Sequence, residues 1–216
     1  MTANLTMVSS FLDDIVLQRN RSTDPLILPW PSRGNLGGLL TFREVGEWRV
    51  FILELNLHSA APEIVAGRFR LAQEHYYLGW IDVGFIKTAE LVAFTALELA
   101  LRDRYASSIL QKKKKKKDQR NDPMLHELLK YMVQQDGLTD QALPLFIRYG
   151  APIVSNLYNI DHKHPSQTLV GIRNSLAHGD PFEVAPWGGL LELVRDLIEY
   201  AYRSLIAELG ATDGRT

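Results

Sequence analysis

The sequence predicts a mainly α-helical protein with a small β-hairpin in an N-terminal extension. Three observations predict it. Apolar residues recur at helical spacing over long stretches from residue 62 onward. Pro25, Pro29, Pro31, Gly34, Gly37 and Gly38 break regular structure early in the chain. Two β-rich runs, 39–44 and 48–55, flank Val45-Gly46-Glu47 and read as a hairpin. The organisation that follows is an extension over residues 1–61, a helical body over 62–209 and a tail over 210–216. A chain of 216 residues can bury one sizeable core. Its 46% apolar and 23% charged residues are the balance of a soluble globular protein.

Taken in order, Leu5, Val8, Phe11, Leu12, Ile15 and Val16 predict a short amphipathic helix within 5–19. The start of the chain lacks a basic segment followed by an apolar run, so no secretory leader is expected. Two strands alone are marginal, so the hairpin must pack on the helical body, with Trp30, Trp48 and Phe51 as its core contacts. A ligand groove lined by these aromatics is the alternative. Residues 64–79 and 83–110 predict two helices or one long kinked one. Lys87, Glu90, Glu98 and Arg102 interrupt the second, so it cannot serve as a membrane span, and no membrane association is expected. Glu98 and Arg102, four apart, form a favourable pair. Residues 124–135 predict another helix, and Thr139 or Asp140 caps one running to Tyr149. The segment 153–160 is ambiguous. Residues 187–209 predict a single amphipathic closing helix, with Leu190, Val194, Leu197, Ala201 and Leu205 on one side.

The most informative stretch is Gly171-Ile172-Arg173-Asn174-Ser175-Leu176-Ala177-His178-Gly179-Asp180-Pro181. Ser166 is the expected N-cap of its helix. Gly179 and Pro181 end it, glycine by permitting a left-handed cap and proline by failing to continue the ladder. Asn174 and His178, four apart, lie one above the other, and Arg173 can reach the same patch. Leu169, Ile172 and Leu176 form a separate apolar stripe. Metal-free RNA cleavage needs a base for the ribose 2′-hydroxyl, an acid for the leaving 5′ oxygen and a cation for the phosphate. Histidine suits proton transfer because its pKa lies near neutrality, and arginine offers fixed charge with two-pronged phosphate geometry. The plainer alternative is that Arg173 pairs with a carboxylate, Asn174 bonds a neighbouring helix and His178 caps the last carbonyls.

An arginine, a polar residue and a histidine in the spacing Arg173-Asn174-Ser175-Leu176-Ala177-His178, late in a helical chain, resemble the R-x4-6-H motif of the HEPN superfamily. The alanine-rich segment 88–102, with its embedded Glu90 and Glu98, is similar to that family's long first core helix. The resemblance covers about residues 81–209. It implies an up-and-down helical bundle that dimerises so that two motifs line one cleft. It also implies a metal-independent RNA endonuclease, in a toxin, defence or RNA-processing role, with Arg173, Asn174 and His178 catalytic. Glu90, Glu98 and Ser175 are the residues expected to support them from behind. A non-catalytic helical module binding RNA or a protein partner is the competing reading, and an antitoxin or regulatory protein is a further expected partner.

Charge and metal chemistry complete the expectations. The formal net charge is −1, and because Lys112, Lys113, Lys114, Lys115, Lys116 and Lys117 supply six positive charges, the rest of the chain carries −7. That run is a solvated helix end or loop, or an electrostatic tether for RNA phosphates. No aromatic residue interleaves the lysines, which argues against base stacking there. His162 and His164, just before the motif helix, are further candidates for RNA contact; with Asp161 they make a poor metal set, so no metal and no cofactor is expected. The absence of cysteine excludes disulfides and thiolate sites and is compatible with the cytoplasm. The missing P-loop, G-x-G-x-x-G and G-x-S-x-G patterns remove the commoner nucleotide-dependent and acyl-transfer classes.

Overall fold

The computed structural model describes residues 10–115, 122–150, 152–158, 168–179 and 186–213. It is mainly helical, with one two-stranded antiparallel hairpin near the N-terminus. The order is α1 (Ser10–Val16), β1 (Leu26–Pro29), β2 (Leu39–Phe42), α2 (Val45–Leu53), α3 (Glu63–Leu78), α4 (Gly84–Lys115), α5 (Leu125–Gln134), α6 (Pro144–Tyr149), α7 (Leu169–His178), α8 (Leu190–Ala201) and α9 (Arg203–Asp213). Among the described residues, no helix is long and apolar enough to cross a membrane.

The axis of the fold is α4. At about 1.5 Å per residue its 32 residues span roughly 48 Å, and α3, α5, α7 and α8 all pack against it. Ala89, Ala93, Ala96 and Ala100 let neighbours approach closely, while Phe94, Leu97 and Leu101 fill the space between. Helix α3 lies beside α4, burying Val65, Phe69, Ala72, Tyr76 and Tyr77 at helical spacing. The two are separate helices, joined by a tight turn at Gly79. A Cβ there would sit 2.6 Å from Ile86 Cγ1 and 2.7 Å from the Tyr76 carbonyl oxygen. Gly79→Ala therefore overpacks the turn and is expected to lower unfolding free energy by about 1–3 kcal/mol, measured by urea denaturation.

The hairpin exists, but its strands are not the expected pair. β1 pairs with β2, Leu26 opposite Phe42 and Leu28 opposite Leu40. Of the prolines and glycines expected to break structure, Pro31, Gly34, Gly37 and Gly38 form its connection, while Pro29 ends β1 and Pro25 precedes it. Trp30 N–H donates to the Gly38 carbonyl, Ser32 and Asn35 bond each other's backbone, and Gly34 adopts φ 79°. The run 48–55 is not a strand: most of it lies in α2. Glu47 reaches back to the backbone N–H of Glu44, and Trp48 and Ile52, four apart, are buried together. End capping and burial override the β preference of valine, tryptophan and phenylalanine here. Trp30 and Trp48 are buried and Phe51 packs on them, so the aromatics make a core. Arg21 ties this region to the end of α3, donating from Nε to the Trp80 carbonyl at 2.6 Å. The extension and the helical body share one hydrophobic core.

Three further expectations are corrected. The segment 139–149 holds a 3-10 turn at Asp140–Ala142 and then α6, which starts only at Pro144. The closing helix is two helices. Arg104 Nε donates to the Ala201 carbonyl at 3.0 Å and Tyr202 OH to Asp103 at 2.8 Å, so side chains from α4 hold the break at Tyr202. Residues 210–213, expected as tail, belong to α9.

Two polar clusters fasten the body. In one, Asp136 accepts from Tyr105 OH at 2.6 Å and from both terminal nitrogens of Arg203 at 2.7 and 2.8 Å. Burial alone would raise its carboxyl pKa, but these bonds and the Arg203 charge outweigh it and hold the group below the ordinary aspartate range. A depressed folded-state pKa contributes stability that is complete above about pH 4 and is lost as pH falls through the folded value. Asp136→Asn is accordingly expected to flatten the acid limb of a stability-versus-pH curve below about pH 4. The other cluster, on α8, is buried: Arg195 pairs with Glu192 and Asp196, Asp196 accepts the Leu145 N–H at 2.8 Å, and Arg195 donates to the Glu54 carbonyl at 3.1 Å.

Candidate functional site

Helix α7 carries the arginine–asparagine–histidine motif. Its N-cap is Thr168, whose hydroxyl accepts from the Gly171 N–H at 3.0 Å, and Ser166 lies outside the described residues. Its C-cap is Gly179, in the left-handed region at φ 67°, as the Gly-Asp-Pro ending predicts. Leu169 and Ile172 are buried and Leu176 is half-buried, so the apolar stripe faces the body and α7 lies against α4. That docking sets the polar face outward at the last turn.

Arg173 is positioned from both sides. Its Nε donates to Glu98 Oε1 on α4 at 2.8 Å, and one terminal nitrogen donates to Asn174 Oδ1 at 3.4 Å. Glu98 is 16% exposed against 35% for Arg173, so the carboxylate lies beneath the guanidinium. Arg102 stands 3.8 Å from the other Glu98 oxygen. Two arginines around one carboxylate leave an excess of positive charge beside the motif. Asn174 and His178 are exposed on the same side of α7, and Ser175 is half-buried.

Glu90 does not join this group. It is fully buried eight residues earlier, about 12 Å along α4, where it accepts the Trp187 backbone N–H and lies 3.4 Å from Lys87 Nζ. It orients the chain entering α8 rather than Arg173 or His178. The periodic pattern marks both glutamates as interior to α4 but does not say which neighbour each meets.

The lysine run begins on a helix rather than in a loop, because α4 continues through Lys115. Lys112 is exposed and bonds Gln135 at 2.7 Å, while Lys113 is largely covered and pairs with Glu127 at 2.7 Å. The side chains of Lys114 and Lys115, together with Lys116, Lys117, His162 and His164, lie outside the described residues. Among the described residues, no group of three or more histidine, aspartate or glutamate side chains could hold a metal ion. Sequence reasoning missed Arg102 as a neighbour of the motif. The signal was its four-residue spacing from Glu98, which reads equally well as a surface pair. Compared with known proteins, the chain matches no family model, no curated protein and no solved structure.

Proposed function

We propose that the protein is a metal-independent RNA endonuclease whose catalytic groups are Arg173, Asn174 and His178. The observation that carries this reading is the placement of the trio: a tethered arginine, its adjacent asparagine and an exposed histidine one turn later, at the end of one helix. His178 moves a proton, Arg173 stabilises the charge on the pentavalent phosphorus, and Asn174 binds phosphate or holds the histidine. The 2′-hydroxyl gives its proton to His178 as its oxygen attacks the adjacent phosphorus, the 5′ oxygen leaves with the proton His178 returns, and the product carries a 2′,3′-cyclic phosphate. Glu98 acts by holding Arg173, and Ser175 packs beside the trio without a chemical step of its own. The resemblance to the HEPN superfamily supports a homodimer with two motifs in one cleft, cytoplasmic action and a toxin or defence role, restrained by an antitoxin or regulatory protein.

The test is incubation of the purified protein with total RNA in EDTA. Cleavage there supports the reading, and cleavage that appears only on adding a divalent ion contradicts it. A second reading, a non-catalytic helical module binding RNA or a protein, is favoured by the Arg173–Glu98 pair, since an arginine already bonded to a carboxylate is what a structural role requires. Growth arrest on expression, relieved by His178→Ala, separates the enzyme from the module.

A further inference from the structure

The C-terminal end of α4 and the outer face of α5 line a groove of about 420 Å³, and the two lysines that α4 contributes are held in place rather than loosely solvated. Lys112 Nζ donates to Gln135 at 2.7 Å and stands 5.0 Å from the centre of the Tyr131 ring, which packs in turn on Tyr105 at 5.2 Å. These contacts fix where Lys112 points and reduce the conformational freedom it would lose on binding an anion. Lys113 pairs with Glu127 on the facing helix. Burial raises the Glu127 pKa, but the Lys113 contact and the Met124 N–H outweigh it and hold the carboxyl below its ordinary value, so the charge pair persists at neutral pH. His126 and Lys130, four apart and exposed, line the same groove from α5. Lys113 Nζ is buried against Glu127, which leaves Lys112 and Lys130 as the exposed lysines of the groove.

The groove also shares a helix face with the candidate cleavage site. Glu98, Arg102, Tyr105, Ile109 and Lys112 recur at intervals of four and three, which puts them on one stripe of α4. From Glu98 to Lys112 is about 21 Å along the axis, or roughly six stacked nucleotides at about 3.4 Å each. Outside the lysine run the chain carries a net charge of −7, so a polyanion is drawn to its local cationic patches rather than to the protein as a whole.

We propose that the α4–α5 groove binds the phosphate backbone of single-stranded RNA about six nucleotides from the bond cleaved at Arg173 and His178. The assignment of RNA rests on the ribonuclease reading; the capture of phosphates by the exposed Lys112 and Lys130 rests on the groove itself. The groove is a positioning surface, sequence-blind and salt-sensitive.

The experiment measures binding of the full chain to a labelled, uncleavable 2′-O-methyl 12-mer in EDTA by fluorescence anisotropy across a salt series. Lys112→Glu with Lys130→Glu is expected to weaken binding at least tenfold, and Lys112→Gln with Lys130→Gln to weaken it less. The slope of log affinity against log salt is expected to become shallower by about 1.4 in the glutamine pair, two contacts at about 0.7 each. Unchanged affinity and slope in both pairs, with thermal melting as in the wild type, would overturn the proposal. An inorganic polyphosphate arm separates the sources of phosphate: displacement weaker than by unlabelled 12-mer at equal phosphate concentration supports RNA, equal displacement overturns the assignment of RNA, and no displacement at all overturns capture through phosphates. The two readings also fail separately. Lysine-dependent binding with no cleavage of any RNA sinks the ribonuclease and keeps the phosphate groove, whereas cleavage with lysine-independent binding does the reverse.

Discussion

Replacing His178 by alanine is expected to lower RNA cleavage by about 10²–10⁴-fold, the usual contribution of one general acid–base group. His178 is exposed on the last turn of α7, so its loss opens no cavity and the melting temperature should stay within about a degree of wild type. Arg173→Ala is expected to be as damaging to cleavage, with a different effect on folding. Its removal leaves Glu98, 16% exposed, with Arg102 at 3.8 Å as its remaining cationic neighbour, so a modest loss of stability should accompany the loss of activity. Arg173→Lys should not restore the rate, because an ammonium cannot reproduce two parallel bonds to a phosphate. Single-turnover rates on one RNA, alongside melting curves, separate these effects. A folded His178→Ala protein that cleaves at the wild-type rate removes His178 from the chemistry.

The largest expected effect on stability belongs to Arg195, far from that chemistry. Glu192 and Asp196 are both buried, and Arg195 bonds each of them and the Glu54 carbonyl as well. Arg148 also pairs with Glu192, and Tyr149 OH donates to it at 3.0 Å, so the cluster joins α2, α6 and α8. Burial works against the Arg195 charge, yet Asp196 and Glu192 more than offset it and raise the guanidinium pKa above its ordinary value. Arg195→Met keeps the volume but takes the cation from buried Asp196 and leaves buried Glu192 with Arg148 alone, which should cost about 3–5 kcal/mol in urea unfolding. Adding Glu192→Gln and Asp196→Asn to it should recover part of that loss, since the stranded charges then go. A loss below about 1 kcal/mol for the single variant would mean that the cluster is solvated in solution.

The helical body is legible in the sequence wherever one apolar stripe repeats over several turns, as in α3, α4 and α5. The ending of α7 is legible from Gly179 alone, because a left-handed cap selects glycine. The partnership of Glu98 with Arg173 was within reach as one of two candidates; only the packing of α7 on α4 decides that Glu98, and not Glu90, meets the arginine. The hairpin was anticipated and β2 falls in one of its two expected runs, but its partner strand was misassigned. Residues 45–53 are rich in β-branched and aromatic side chains, and what makes them a helix is the long-range burial of Trp48 and Ile52. The break at Tyr202 is likewise invisible locally, because Arg104 and Asp103 on α4 hold it. The α4–α5 groove escaped for the same reason. The lysine run contains no aromatic residue, and the ring beside Lys112 comes from Tyr131, nineteen positions away.

The measurement that tests the proposed chemistry most directly is the identity of the ends left on a defined RNA cleaved by the purified protein in EDTA. Acid–base cleavage through the 2′-hydroxyl predicts a 2′,3′-cyclic phosphate on one fragment and a 5′-hydroxyl on the other, both absent with His178→Ala. Fragments bearing 5′-phosphate and 3′-hydroxyl ends, or the same cyclic ends from the His178→Ala protein, would contradict it.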